Sequence, residues 1–378
     1  MDFYWHNGLE SFLRQLGVVG ENLGVAPVLG CGVLFYGVSG WTGALSVNIN
    51  KNITSNFLEN DSFLFDLASL TKPFCTLLCC LHLVQEGTLS LEEELGNTLS
   101  LPLSQEIRHT QLWQLLGHCS GLPAYNTYYR SMKADPLLSG NRKQLLDCIN
   151  QEELVYSPGK KCIYSDLGYI LLGWMLEEQL SCQLNKCFDS LISAPLGLEK
   201  KIFFRPYKEI KSTSSNEQGY FYAPTGWCQW RNKIMQAEVQ DEHCWLLSGV
   251  SGHAGLFGST SGVMLLCAEI LQSLLFEGKI GLRRNLMEQI LRRKVKNESW
   301  CIGFDTPSEP SSAGKFISQK SIGHLGYTGT SFWIDIERKL IMVLLTNRVH
   351  LGRDNLLIRT FRPWFHEQVI KWFDTLKM

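Results

Sequence analysis

Phe65-Asp66-Leu67-Ala68-Ser69-Leu70-Thr71-Lys72-Pro73 opens an apolar run that ends at Glu86-Gly87. Pro73 falls where the first turn of a helix has no intrahelical N–H bond to lose, and Gly87 suits a helix C-terminus. Thr71 to Glu86 is therefore predicted to be one buried helix. Residues three apart share a helix face, so Lys72 reaches the Ser69 hydroxyl. A serine hydroxyl is a poor nucleophile until a base takes its proton, and a partly desolvated lysine can be that base or hold a second one. The start of the helix also favours negative charge that develops on attack. Against this stands the plain alternative of a helix cap followed by a surface lysine. The same Ser-x-x-Lys spacing recurs at Ser157 to Lys160 and Ser312 to Lys315, in Pro- or Gly-containing turns where it fixes no shared face.

Working outward, Asn22 to Asn50 carries no charge. That length can span a bilayer, but its glycines and its short apolar runs, Val33 to Tyr36 and Ala44 to Val47, fit two strands joined through Gly37-Val38-Ser39-Gly40. Phe3 to Leu16 reads as a short amphipathic helix. Leu282 to Lys296 reads as a basic amphipathic helix with a solvated face. Ser331 to Ile336 and Leu340 to Thr346 read as a hairpin turning at Glu337-Arg338-Lys339, and Trp364 to Leu376 as a closing helix. Strands at both ends of the chain with a mostly helical middle predict an α/β fold. Residues 1–68 and 265–378 would form an antiparallel sheet flanked by terminal helices, and 69–264 an inserted helical domain. The site would lie between the two, a usual place for pockets.

Two further segments carry chemistry. Tyr156-Ser157-Pro158-Gly159 leads to Tyr164-Ser165-Asp166 before an apolar helix. A cation beside a phenol favours the phenolate, so Tyr164 near Lys72 can act as general base. Gly323-His324-Leu325-Gly326-Tyr327-Thr328-Gly329 precedes a strand. Its glycines let backbone approach a ligand, and His324 adds a second positive or hydrogen-bonding group.

These three segments, in this order, resemble the penicillin-recognising serine hydrolases, whose signatures include S-x-x-K, a second motif, and a third ending in Gly. The resemblance is to the branch with tyrosine in the second motif, which holds AmpC-type β-lactamases and esterases. His118-Cys119-Ser120-Gly121-Leu122-Pro123, Ser251 to Phe257 and Leu344-Leu345-Thr346-Asn347 extend it from about Gly24 to Thr346. It implies a β-lactamase/transpeptidase-like fold, with Ser69 as acylated nucleophile, Lys72 and Tyr164 handling its proton, and His324 as the third-motif group. The backbone N–H groups of Ser69 and Tyr327 would form the oxyanion hole, and Asp166, Leu325 and Gly326 would border the substrate. His118 and His253 would order loops around the site. Two residues depart from the family pattern. Asp166 stands where an asparagine amide is common, and an ionised carboxylate only accepts hydrogen bonds. Leu325 stands where a threonine hydroxyl helps bind a substrate carboxylate. Both departures weigh against β-lactams and D-alanyl-D-alanine termini, which carry a carboxylate; the partner expected is a small-molecule ester, amide or lactam substrate.

Composition narrows the remaining classes. The 378 residues are 45% hydrophobic and 19% charged, which excludes a disordered chain. A net charge of −1 gives no footprint for nucleic acid. The 13 cysteines are scattered with no C-x-x-C, so neither a zinc site nor a disulfide framework is expected. Cys75, Cys79 and His82 could share one helix face, but core packing is the simpler reading. Unpaired thiols and the absence of a recognisable export signal predict a cytoplasmic protein. Asn52, Asn60 and Asn297 begin glycosylation sequons that this reading leaves unused. The expected activity is acyl transfer to water through a serine ester, without cofactor or metal. A β-lactamase or D-alanyl-D-alanine carboxypeptidase is the first alternative, and a non-catalytic binding or scaffold protein on the same fold the second.

Overall fold

A computed structural model describes residues 4–49, 62–210, 219–292, 295–296 and 298–376. The three sequons at Asn52, Asn60 and Asn297 lie outside them.

The uncharged stretch folds as expected, into β2 (Val28–Gly37) and β3 (Gly40–Ile49), with β1 (Tyr4–Trp5) parallel to β3 at the edge. Next come β4 (Phe63–Asp66), β5 (Ile202–Phe204), β6 (Phe221–Tyr222), β7 (Trp227–Cys228), β8 (Lys233–Ile234) and β9 (Leu256–Gly258). The last three are β10 (Ile322–Leu325), β11 (Ser331–Asp335) and β12 (Leu340–Thr346). The main sheet runs β1-β3-β2-β12-β11-β10, so the two ends of the chain meet where β2 pairs antiparallel with β12.

Period-two alternation decides which face each side chain takes. Leu340, Met342 and Leu344 pack with Leu9 and Leu13 of helix Asn7–Asn22 and with Phe361, Phe365 and Val369 of helix Ile358–Thr375. Ile341, Val343 and Leu345 point into the larger core on the other face. There Gly30 and Gly32 let helix Thr260–Leu275 lie close to the sheet. A Cβ on Gly30 would come 2.3 Å from Thr260 Oγ1, and one on Gly32 2.5 Å from Met264 Sδ. Each fully buried Leu or Phe in these layers contributes about 1.5–3 kcal/mol.

Helix boundaries move from the sequence reading. The first helix begins at Asn7 and continues to Asn22, past Leu16. The closing helix begins at Ile358 and carries Pro363 in its second turn. Among the described residues of the basic segment, the helix covers Arg284–Leu291. Helix Thr260–Leu275 runs across the expected boundary at 264/265. The middle of the chain is not helical throughout, since it supplies β5, β6 and β9 to a second sheet, β5-β9-β4-β6, which they form with β4. No helix among the described residues is long and apolar enough to cross a membrane. Among the same residues no group of His, Cys, Asp and Glu is arranged to hold a metal ion.

Candidate active site

Ser69 lies in a single 3-10 turn, Ala68–Leu70, between β4 and the predicted helix. Ala68 is held at φ 49°, a left-handed conformation that costs a non-glycine residue roughly 1–2 kcal/mol. Asp66 secures it: one carboxylate oxygen accepts from the Ala68 N–H at 2.9 Å and the other from the Gln240 N–H at 2.7 Å. Burial raises the Asp66 carboxyl to about 6. The next turn, Lys72–Leu77, is π-helical, and the α-helix proper is Leu78–Gln85. A π turn at a functional site is common, because it re-aims side chains without breaking the helix.

Lys72 is fully buried, and its three N–H bonds all have acceptors. Its Nζ donates to Ser69 Oγ at 3.0 Å, to Asp166 Oδ1 at 2.6 Å and to the His253 carbonyl at 3.0 Å. It also sits 4.8 Å from the centre of the Tyr164 ring. Asp166 begins helix Asp166–Gln179, where the helix dipole favours a carboxylate, and Ser165 caps that helix. Sequence reading placed Asp166 at the substrate; the structure gives it a second task as the counter-ion of Lys72.

Charge in the cluster departs from expectation. The Tyr164 phenol is pushed well above its usual range, first by burial and next by Asp166, with the Ser69 hydroxyl working against the rise. Lys72 is pushed below the usual lysine value by burial, with Asp166 opposing. The expectation that Lys72 favours the Tyr164 phenolate is thus reversed, because Asp166 answers the lysine's charge and burial penalises the phenolate. His324 changes in the same way. Burial and then Lys72 lower it to about 3, so it is a neutral ring near pH 7 and adds no positive charge. Its Nδ1–H donates to the Leu325 carbonyl at 2.9 Å, leaving the buried Nε2 without a partner.

The surrounding loops fix these groups. The His118 Nδ1 accepts from the Ser165 N–H at 3.1 Å, and its ring lies 4.4 Å from the Tyr164 ring. His253 bridges Asp241 at 2.8 Å and Ser251 at 2.9 Å while its carbonyl holds Lys72. The turn after β10 is tied to the chain just before Ser69. Thr328 Oγ1 donates to the Asp66 carbonyl at 2.8 Å and Thr330 Oγ1 to the Leu67 carbonyl at 3.1 Å. Tyr327 and Ser69 thereby border the same two pockets.

One pocket is lined by Tyr125, Asp241, Glu242 and Arg353, the last two ion-paired. The other is lined by Tyr164, His324, Leu325, Gly326 and Trp300 and by three arginines, Arg348, Arg359 and Arg362. Asp166 borders both. Sequence reasoning missed Trp300 and the arginines, which lie outside the motifs; only proximity in the fold brings them to Ser69.

The beta-lactamase family profile matches residues 59–362. A candidate D-alanyl-D-alanine carboxypeptidase from Salmonella agona (strain SL483) is 28% identical over 319 residues, 78% of this chain and 71% of that protein. Among solved structures, EstCE1, a hydrolase with promiscuous acyltransferase activity, superposes with a TM-score of 0.70 at 18% identity, covering 93% of this chain and 98% of that one. The octameric penicillin-binding protein homologue from Pyrococcus abyssi gives 0.68 at 17% identity, covering 96% and 77%.

Proposed function

This chain belongs to the beta-lactamase family and is a serine hydrolase, and we propose that it cleaves a small ester or amide through an acyl-enzyme on Ser69. The observation that carries this reading is the buried Lys72 Nζ, 3.0 Å from Ser69 Oγ and braced by Asp166. Unprotonated Lys72 takes the hydroxyl proton as Ser69 Oγ bonds to the substrate's carbonyl carbon. The carbonyl electron pair moves onto oxygen, which the N–H groups of Ser69 and Tyr327 stabilise. Donors fixed in advance at such an oxygen are worth about 3 kcal/mol each. The C–O or C–N bond then breaks, and the leaving group departs with the proton of the neutral Tyr164 hydroxyl. The Lys72 ammonium returns a proton to Tyr164. Water attacks the Ser69 ester through the same groups and releases the acid. The sequence of steps balances without a metal or organic cofactor.

The printed name of the Salmonella relative supports a second reading, a carboxypeptidase acting on a D-alanyl-D-alanine terminus. A reducing, cytoplasmic setting is supported by the 13 cysteines, all unpaired. Hydrolysis of 4-nitrophenyl acetate tests the main reading. Wild type should turn it over, and Ser69→Ala should lose roughly 10³-fold or more in kcat. Equal rates would remove the reading.

A further inference from the structure

We propose that Cys119 and Cys162 form a redox modification site, at which hydrogen peroxide closes a disulfide that moves Tyr164 out of its working position. The effect on turnover rests on the hydrolase reading above, whereas the bond itself does not. Two hydrogen bonds set the turn after helix Leu112–Leu116 against the segment that leads to Tyr164. The Ile163 N–H donates to the His118 carbonyl at 2.9 Å, and the Gly159 N–H to the Cys119 carbonyl at 2.8 Å. Cys119 and Cys162 meet across this seam, and their thiols are hydrogen-bonded to each other.

The two thiols differ in access. Cys119 is only 1% exposed, while Cys162 is half-buried, so an oxidant in solution meets Cys162 first. The Cys119 thiol is pushed up by its hydrogen bond to Cys162 and then by burial, and it keeps its proton meanwhile. The Cys162 sulfur attacks one peroxide oxygen, the O–O bond breaks, and the thiol proton leaves with the other oxygen as water. The Cys119 sulfur then attacks the Cys162 sulfenic acid, the S–O bond breaks, and a second water carries off the Cys119 proton. Two thiols become one disulfide, and one peroxide becomes two waters. A small thiol reverses the bond by exchange. A second thiol contact, Cys182 with Cys187, lies at helix Leu184–Phe188 and gives an internal comparison.

The segment that carries Tyr164 has no slack to absorb the new bond. The Ser165 N–H is held by His118 Nδ1 at 3.1 Å, Ser165 Oγ by the Pro123 carbonyl at 2.7 Å, and the Asp166 N–H by the Ala124 carbonyl at 3.0 Å. The Tyr164 ring lies between His118, 4.4 Å away, and Trp300, 5.4 Å away. Disulfide formation draws two sulfurs from hydrogen-bond contact to a separation of about 2.05 Å. Cys162 is two residues before Tyr164, and His118 adjoins Cys119. The movement is therefore taken up in the bonds that Ile163 and Ser165 make to His118, which are the bonds that aim Tyr164. A misplacement of about 1 Å in a reacting group is enough to cost roughly 10²-fold in rate.

The test treats reduced wild type with hydrogen peroxide, blocks free thiols with N-ethylmaleimide in denaturant, and maps linked peptides by mass spectrometry. A peptide pair joined through Cys119 and Cys162, and released by dithiothreitol, is expected. On 4-nitrophenyl acetate the oxidised protein should lose about tenfold or more in kcat, with KM little changed, and recover on reduction. Cys162→Ser should match reduced wild type and keep its activity after peroxide. Amide exchange around Ile163 and Ser165 should quicken in the oxidised form whether or not the ester is turned over. If the link forms and exchange quickens but neither form hydrolyses the ester, the hydrolase reading falls and the modification site stands. No Cys119–Cys162 link, or a link at Cys182–Cys187 alone, would overturn the site. A Cys119–Cys162 link that leaves exchange unchanged, or kcat within about twofold of the reduced protein, would overturn its control of Tyr164.

Discussion

Lys72 and Tyr164 hold opposite positions on the proton ladder, and this sets their roles. Burial disfavours charge on both, which lowers the lysine and raises the phenol. The first proton the cluster gives up is thus the lysine's, and apparent values belong to the coupled group. Activity requires that proton to be gone, so kcat/KM should rise with pH along an acid limb below the ordinary lysine range. Asp166 works to hold the proton on Lys72. Asp166→Asn should therefore shift the limb to lower pH, and a shift to higher pH would contradict the assignment of Lys72 as base. At the pH optimum, Tyr164→Phe and Lys72→Ala should each lower kcat/KM by roughly 10²- to 10⁴-fold, with little further loss in the double variant. Ser69, Lys72 and Tyr164 were readable because motif spacing shows them. The charge states were not, since they depend on Asp166, 94 residues beyond Lys72, arriving within 2.6 Å.

At the scale of elements, two contacts aim the lysine: the π turn that carries it and the Gly252-His253 segment behind it. Thr76 Oγ1 donates to the Gly252 carbonyl at 2.6 Å, and the adjacent His253 carbonyl accepts from Lys72. Gly252 lies directly on helix Asp166–Gln179, where an added Cβ would come 2.1 Å from the Tyr169 carbonyl. Backbone cannot yield as a flexible side chain does. Gly252→Ala should cost about 1–3 kcal/mol in urea unfolding and also lower kcat, because the displaced segment carries the His253 carbonyl away from Lys72. Wild-type stability in that variant would show that the contact is not close. Four of the strands were readable, the two of the uncharged stretch and the pair Ser331 to Ile336 and Leu340 to Thr346; the strands of two to four residues, β1 and β4 to β10, were not, because so few residues carry no pattern. Helix ends were less readable. The closing helix, read from Trp364, begins at Ile358 and takes Pro363 into its second turn, where proline removes a backbone hydrogen bond and so gives no sign that a helix continues through it.

At the scale of the molecule, both ends of the chain build one sheet, and the turn after β10 is hydrogen-bonded to the residues before Ser69. That pairing sets Ser69 and Tyr327 at the border of two pockets, one closed by the Glu242–Arg353 pair and the other lined by arginines. The sheet was foreseeable from patterns at the two termini. The arginine wall was not, because Arg348, Arg359 and Arg362 come from the segment after β12, which carries no motif. Whatever the substrate, Ser69 alone must be the activated nucleophile that forms the covalent adduct. Intact-mass spectrometry after treatment with a fluorophosphonate probe measures this directly. Wild type should gain the mass of one adduct, mapped by peptide fragmentation to Ser69, and Ser69→Ala should gain none; an adduct that persists in Ser69→Ala, or that maps to another residue of wild type, would contradict it.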